Sequence, residues 1–132
     1  MMHTSIPVLI LEDDPGIRAM LATALRRGGY LPTIVESVSD ALSALATTTF
    51  AVILTDYGVT SQAARSVIEQ AQQGKTTSVI ALMTEHSRAI LADQLIGLSI
   101  TAFLSKPFSL TILYTTLDQC RTQIRMVGDH HT

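Results

Sequence analysis

The chain has 132 residues, of which 47% are hydrophobic and 15% are charged. This length fits one domain with one buried core, and this composition excludes a disordered protein. Lys and Arg together number 9 against 11 Asp and Glu, which leaves a net charge of -2. A chain with so little positive charge is not a free-standing nucleic-acid binder.

The single cysteine, Cys120, excludes an internal disulfide and a cysteine-based zinc site, as is typical of a reducing compartment. The first residues lack the basic start and apolar stretch of a signal peptide, and no apolar run has the length of a membrane span. We therefore expect a cytoplasmic protein. We take residues 1–132 as a single domain, with a core at about 6–127 and short flexible ends.

The first unit of the chain combines a strand, an acidic loop and a helix. Residues 6–11 form an aliphatic run without alternation, which predicts a strand covered on both faces. Three contiguous acids and a Pro-Gly pair end this strand at 12–16. The helix that follows ends at Gly28-Gly29 and carries an apolar stripe. The stripe consists of Ile17, Met20, Leu21, Ala24 and Leu25.

The same alternation of strand and helix repeats four more times. We predict strands at 31–35, 51–55, 78–83 and 102–105. We predict helices that begin at Ser39, at Ser61 or Gln62, at about Ser87, and after Ser109. The third of these spans about 87–96. Pro32 lies in the second strand and favours an edge position for it.

Five strands alternating with five helices indicate a doubly wound α/β domain, a parallel sheet with helices on both faces. In such sheets ligands bind beyond the carboxyl ends of the strands. Strands one, three, four and five end in polar side chains that we therefore expect to converge. These are Glu12 and Asp13, Asp56, Thr84, and Lys106.

The chemistry of this set points to phosphoryl transfer. Adjacent carboxylates suit Mg²⁺, which prefers oxygen ligands. Lys106 offers a positive charge to a phosphoryl group, Thr84 offers a hydroxyl donor, and Asp56 can form an aspartyl-phosphate. Each group also has a simpler explanation when it is taken alone. An acidic loop favours the start of the next helix, and threonine is common in strands.

The same residues resemble the receiver domain of response regulators, over almost the whole chain. The matching strings are LEDDP at 11–15 with Arg18 in the next helix, LTD at 54–56, and FLSKPF at 103–108. The resemblance implies a five-stranded, flavodoxin-like (βα)5 fold with strand order 2-1-3-4-5. It also implies a two-component phosphorelay, in which a histidine kinase or a phosphotransfer protein supplies the phosphoryl group.

Carried over by position, the resemblance implies that Asp56 is the phosphoacceptor and is also a Mg²⁺ ligand. Glu12 and Asp13 would be the other carboxylate ligands, and Gly58 would contribute its backbone carbonyl. Lys106 would pair with Asp56 before phosphorylation and with the phosphoryl group afterwards.

Three further roles follow from the resemblance. The peptide bond between Lys106 and Pro107 would be cis. Thr84 and Phe103 would be a switch pair, in which the hydroxyl moves to the phosphoryl group and the ring turns inward. We assign the first switch position to Thr84 and not to Met83, because Thr84 has the family's usual separations from Phe103 and Lys106. The chemistry agrees, since methionine offers no hydrogen-bond donor.

The resemblance implies a signalling switch and not an enzyme that turns over a separate substrate. At most the chain would catalyse its own phosphorylation and dephosphorylation. Because 132 residues leave no room for an output domain, we expect output through another protein or another chain, with no direct contact to nucleic acid or membrane. A homodimer would use the predicted fourth helix, the fifth strand and the last helix.

Two departures from the family pattern keep a second hypothesis open. The loop after Asp56 is shorter than is usual in the family, and Glu85 stands where the family favours a very small residue. A degenerate receiver would act as a phosphorylation-independent interaction module. A third hypothesis, a Mg²⁺-dependent phosphohydrolase, needs a carboxylate where the chain has Gly58. A flavin carrier is disfavoured, because carboxylates follow the first strand where a flavin phosphate needs hydroxyls and amides.

Overall fold

The structure, a computed structural model, describes residues 5–56, 61–73, 78–85 and 95–129. Over these residues five strands alternate with helices. The strands are β1 (Ile6–Leu11), β2 (Tyr30–Val35), β3 (Val52–Asp56), β4 (Val79–Thr84) and β5 (Ala102–Ser105). The helices are α1 (Pro15–Arg27), α2 (Val38–Thr47), α3 (Ser61–Gln72) and α4 (Leu110–Asp129).

All five strands belong to one parallel sheet in the order β2-β1-β3-β4-β5. The predicted fold class and strand order are therefore confirmed. β2 is an edge strand, which is where Pro32 costs no hydrogen bond to a second neighbour. β1 and β3 lie side by side, with Leu11 in register with Thr55, so the ends of both strands reach the same edge of the sheet.

A separate hydrophobic core covers each face of the sheet. The first core contains side chains of α1 and α4, among them Leu25 and Leu117, both fully buried. The second core contains side chains of α2 and α3, among them Ala41 and Ile68. We call these the α1/α4 core and the α2/α3 core. Because the central strands are covered on both faces, they have continuous apolar sequences.

The predicted strand limits agree with the structure to within one residue, and the last helix begins as predicted after its Ser109 cap. The amide of Ile112 donates to Ser109 Oγ at 3.2 Å. The predicted cap at Ser39 is wrong, because Ser37 caps α2 and accepts a hydrogen bond from the amide of Asp40 at 3.1 Å. The earlier start brings Val38 against the α2/α3 core.

Part of the prediction falls on residues outside the described ranges. Most of the predicted fourth helix, 87–96, lies there, as does the predicted stop of the third helix at Gly74. Residues 95–97, at the end of the predicted fourth helix, are described and form a turn in which Gly97 has a φ of 85°. Within the described ranges, no helix is long and apolar enough to cross a membrane.

Candidate functional site

Three polar side chains reach the carboxyl edge of the sheet on the same side. Each follows, by two residues, a strand residue whose side chain is buried in the α1/α4 core. Side chains alternate between the two faces of a strand. Each polar side chain therefore lies on the same face of the sheet as the buried side chain two residues before it. The pairs are Ile10 and Glu12, Leu54 and Asp56, and Leu104 and Lys106.

Lys106 joins two of the carboxylates. Its Nζ donates to Glu12 Oε1 at 2.6 Å and lies 3.3 Å from Asp56 Oδ1. The Glu12 side chain is 0% exposed, that of Lys106 10% and that of Asp56 23%. The second oxygen of Glu12 accepts a hydrogen bond from the amide of Asp14 at 3.0 Å. Glu12 is thus fixed at both oxygens, while Asp56 keeps an open side.

Burial and neighbouring charges shift the pKa values of all three groups. Burial raises the pKa of Glu12, and the hydrogen bond from Lys106 offsets part of this rise. Burial also raises the pKa of Asp56; Lys106 opposes this rise, and the charges of Asp13 and Glu85 add to it. Burial alone would lower the pKa of Lys106, but its contacts with the two acids raise it above the ordinary lysine value. The two carboxylates therefore keep the lysine charged.

The loop between β1 and α1 carries the next two acids. Asp14 is the N-cap of α1, and its Oδ1 accepts a hydrogen bond from the amide of Ile17 at 2.9 Å. Asp13 is exposed, and its backbone carbonyl accepts a hydrogen bond from the Arg18 guanidinium at 2.9 Å. Arg18 also lies 3.4 Å from the carboxylate of Glu36, which follows β2.

Glu12, Asp13 and Asp56 could hold a divalent cation together. One carboxylate oxygen from each lies within 4.8 Å of the others. Carboxylate oxygens are the ligands that Mg²⁺ prefers, and Mg²⁺ keeps several waters beside a few protein ligands. The side chains therefore fit this metal. The remaining predicted ligand, the carbonyl of Gly58, lies outside the described residues.

The site opens into a cleft of about 420 Å³ at the edge of the sheet. Its walls come from β1, α1, the start of α2, α3 and the ends of β3, β4 and β5. Lys106 faces six acidic residues there. The acids are Glu12, Asp13, Asp14, Glu36, Asp56 and Glu85. This charge balance favours a cation over a small anion.

Thr84 and Phe103 lie on the opposite face of the sheet from the three charged groups. Phe103 packs against the α2/α3 core, and Thr84 follows Leu82, a member of that core, by two residues along β4. Met83, the alternative at this position, is buried in the α1/α4 core. The structure therefore places the two predicted switch residues on one face.

The backbone connects this region directly to the site. The amide of Lys106 donates to the carbonyl of Thr84 at 2.8 Å. This hydrogen bond connects the end of β4 to the residue whose ammonium group contacts Glu12 and Asp56. The Lys106-Pro107 peptide is cis, as the resemblance implied. Thr84 itself is 2% exposed.

Comparison with known proteins decides the family. Residues 8–118 match the family model of the response regulator receiver domain. The chain belongs to this family. This receiver domain is 28% identical over 129 residues to the transcriptional activator protein PfeR of Pseudomonas aeruginosa, which covers 94% of the chain and 41% of the relative.

Two further comparisons agree with the first. The receiver domain is 29% identical over 110 residues to the DNA-binding transcriptional regulator NtrC of Klebsiella pneumoniae, covering 83% of the chain and 24% of that protein. It therefore spans less than half the length of either relative. Its fold matches that of a CheY-like receiver domain from Methanospirillum hungatei with a TM-score of 0.84 at 17% identity, over 95% of this chain and 100% of that one.

Sequence reasoning missed two contacts of the site. It paired Lys106 with Asp56 alone, whereas the shorter contact is to Glu12. It noted Arg18 only as part of a motif, whereas its guanidinium holds the carbonyls of the acidic loop. The helical position of Arg18, one turn after that loop, was the signal for the second contact.

Proposed function

We propose that this receiver domain accepts a phosphoryl group on Asp56 from a histidine kinase or a phosphotransfer protein in the presence of Mg²⁺. The observation that carries the proposal is the surroundings of Asp56. Its carboxylate has one open side, lies 3.3 Å from the Lys106 ammonium, and shares a 4.8 Å cluster with the oxygens of Glu12 and Asp13. An acid between a lysine and a cation site is equipped for nucleophilic attack on phosphorus.

In the proposed transfer, a carboxylate oxygen of Asp56 attacks phosphorus and forms a P–O bond. The bond between phosphorus and the imidazole nitrogen of the donor breaks, and its electron pair stays on that nitrogen. The attack needs an ionised carboxylate. Burial raises the pKa of Asp56, and Lys106 opposes that rise, so the lysine keeps the nucleophile in its reactive form.

A bound Mg²⁺ would supply charge stabilisation to the oxygens of the transferred group. Glu12, Asp13 and Asp56 are the side chains that would hold it. Lys106 already contacts two of these acids, so its ammonium is within reach of a phosphoryl oxygen attached to Asp56. In the proposal Lys106 stays with Asp56 through the transfer and donates to that oxygen.

The proposed readout runs through Thr84 and Phe103. Thr84 is one hydrogen bond away from Lys106 through the backbone, and Phe103 lies on the same face of the sheet. A shift of the Thr84 hydroxyl toward the phosphoryl group would make room for the ring. The surface around β5 and α4 would then bind a target protein, an output domain or a second copy of the chain.

The remaining parts of the proposal follow from this role. The domain would be a phosphoacceptor in a two-component system and not an enzyme with a separate substrate, and it would contact its partners without touching nucleic acid or membrane itself. The transfer would take place in the cytoplasm, where the buried Cys120 stays a free thiol.

A degenerate receiver is the second candidate, and Glu85 favours it. Glu85 lines the cleft, and its charge adds to the raised pKa of Asp56, so it opposes the arrival of an anionic phosphoryl group. In this alternative the same surfaces bind a partner whether or not Asp56 is modified.

Beryllofluoride, which mimics a phosphoryl group on a carboxylate, separates the two candidates. Amide NMR spectra would be recorded with Mg²⁺ before and after its addition, for the wild type, for Asp56→Asn, and for Asp118→Asn as a control on an exposed acid of α4. A working switch predicts shifts at Thr84 and Phe103 in the wild type and the control, and none in Asp56→Asn. An unchanged wild-type spectrum would support the degenerate receiver.

A further inference from the structure

The three carboxylates of the cation cluster are held in different ways. Lys106 fixes the side chain of Glu12 and contacts that of Asp56. Asp13 has no such anchor, since no side chain of the described residues donates to its carboxylate. Its backbone therefore sets only the direction in which the Asp13 side chain leaves the loop.

Arg18 is the side chain that donates to the carbonyls of this backbone. One guanidinium nitrogen, NH1, donates to the carbonyl of Asp13 at 2.9 Å and to that of Glu12 at 3.3 Å. The same nitrogen lies 3.4 Å from Oε2 of Glu36, beyond the end of β2. Arg18 is in the first turns of α1 and its side chain is 25% exposed. A single side chain thus connects α1, the acidic loop and the end of the edge strand.

The residues on either side of Asp13 have anchors of their own. The amide of Glu12 donates to the carbonyl of Val35 at 3.1 Å, which extends the β1–β2 pairing by one residue. Asp14 caps α1 through its side chain. Between these two fixed points, two hydrogen bonds limit rotation of the peptide that joins Asp13 to Asp14: its amide donates to Glu12 Oε2 at 3.0 Å, and its carbonyl accepts from Arg18.

We propose that Arg18 is a positioning residue of the metal site. It holds the Asp13 carbonyl so that the carboxylate of Asp13 faces Glu12 and Asp56. The inference rests on the proposed function in one respect, namely that a divalent cation occupies this cluster. Groups that orient a metal ligand without touching the metal affect metal affinity by about 10- to 100-fold.

Electrostatics alone makes the opposite prediction. Arg18 carries a positive charge beside the cluster, so its removal would strengthen the attraction for Mg²⁺ if charge were its only contribution. Positioning predicts that removal weakens binding, because Asp13 loses its orientation. The sign of the change therefore separates the two explanations.

The test is Mg²⁺ affinity, measured by calorimetry on the full chain for the wild type, Arg18→Met, Arg18→Lys and Arg26→Met. Arg26 is exposed in the last turn of α1, so its substitution removes one positive charge from the same helix without touching the acidic loop. We expect Arg18→Met to weaken Mg²⁺ binding by about tenfold. Arg18→Lys keeps a donor for the carbonyls and recovers most of the affinity, and Arg26→Met leaves it within about twofold.

A second measurement separates positioning from general destabilisation. Asp13→Asn removes the ligand that Arg18 positions, so Arg18→Met should weaken binding much less in that background than in the wild type. Equal losses in both backgrounds, or unchanged or tighter binding in Arg18→Met, would overturn the role of Arg18. If the wild type failed to bind Mg²⁺ at all, the metal site of the proposed function would fall, and the role of Arg18 with it.

Discussion

The Nζ atom of Lys106 lies 2.6 Å from Oε1 of Glu12, a side chain that is 0% exposed. The two residues follow β5 and β1, strands that are separated in the sheet by β3 and β4. Their ion pair therefore spans most of the carboxyl edge of the sheet. Because Asp56 lies at the end of β3, between them, the same lysine also reaches the proposed phosphoacceptor at 3.3 Å.

Loss of this lysine should destabilise the fold. In Lys106→Met the Glu12 carboxylate stays buried without a cation, and breaking a buried ion pair costs about 3 kcal/mol. Burial already raises the pKa of Glu12, and loss of Lys106 raises it further. The loss in the free energy of unfolding should therefore grow as pH rises from the ordinary carboxyl pKa to this raised pKa, and should vanish below the ordinary value. Urea unfolding at several pH values measures this dependence.

The matched partner variant tests whether the ion pair is the cause. In Glu12→Gln combined with Lys106→Met the fully buried carboxylate is removed together with its cation, and we expect recovery of about 2 kcal/mol relative to the sum of the single variants. Additive losses would show that the two residues contribute independently.

Neutralising Asp56 should stabilise the metal-free fold. Burial raises the pKa of Asp56 above that of the unfolded chain, so its ionisation costs free energy at neutral pH and costs nothing below the ordinary carboxyl pKa. Asp56→Asn should therefore increase the free energy of unfolding by about 0.5–1 kcal/mol at pH 7. The gain should vanish near pH 3. Chemical denaturation in a chelating buffer measures it, and a gain that persists at low pH would contradict the electrostatic explanation.

Two side chains of α3 should hold the segment that precedes β5. Arg65 donates to the carbonyl of Ile96 at 2.7 Å, and Gln72 donates to that of Ser99 at 3.0 Å. We expect Arg65→Met with Gln72→Leu to speed amide hydrogen exchange at Leu98 and Thr101, with a global cost of about 1 kcal/mol.

The control for this variant leaves the carbonyl contacts in place. Glu69→Gln removes only the exposed ion pair with Arg65, whose atoms are 3.8 Å apart, and such pairs contribute little. Exchange at Leu98 should match the wild type in this control. Equal acceleration in both variants would mean that the ion pair, and not the carbonyl contacts, holds the segment.

Cys120 should be unreactive in the folded state. Burial in the α1/α4 core raises its pKa to about 11, so roughly a thousandth of the thiol is ionised at pH 8. Labelling by a thiol-specific disulfide reagent should be slow in buffer and fast in urea. Fast labelling in buffer would show that α4 does not stay packed on the sheet.

The strands and most helix starts could be predicted because each depends on a local pattern. Apolar runs bounded by polar residues predicted the limits of β1 and β5. Because the carboxyl ends of parallel strands meet at one edge of the sheet, the strand ends also predicted that Glu12, Asp56 and Lys106 lie together. The start of α2 was missed because Ser37 and Ser39 both fit a cap. Val38 would have decided between them, since it extends the buried stripe by one turn.

The pattern of apolar and polar residues did not predict which side chains of the site contact one another. Lys106 could reach either Glu12 or Asp56, and the depth at which Glu12 is buried decides the shorter contact. The position of Arg18, one turn after the acidic loop, places its side chain within reach of that loop. Which carbonyl it contacts depends on how tightly the loop turns into α1.

Phosphorylation of Asp56 is the most direct test of the account. The wild type, Asp56→Asn and Asp118→Asn would be incubated with acetyl phosphate, with Mg²⁺ or with a chelator, and intact masses would be recorded. We predict that the wild type and Asp118→Asn gain the mass of one phosphoryl group only with Mg²⁺, and that Asp56→Asn gains none. A wild type that gains no phosphoryl group with Mg²⁺, or an Asp56→Asn variant that gains one, would contradict the account.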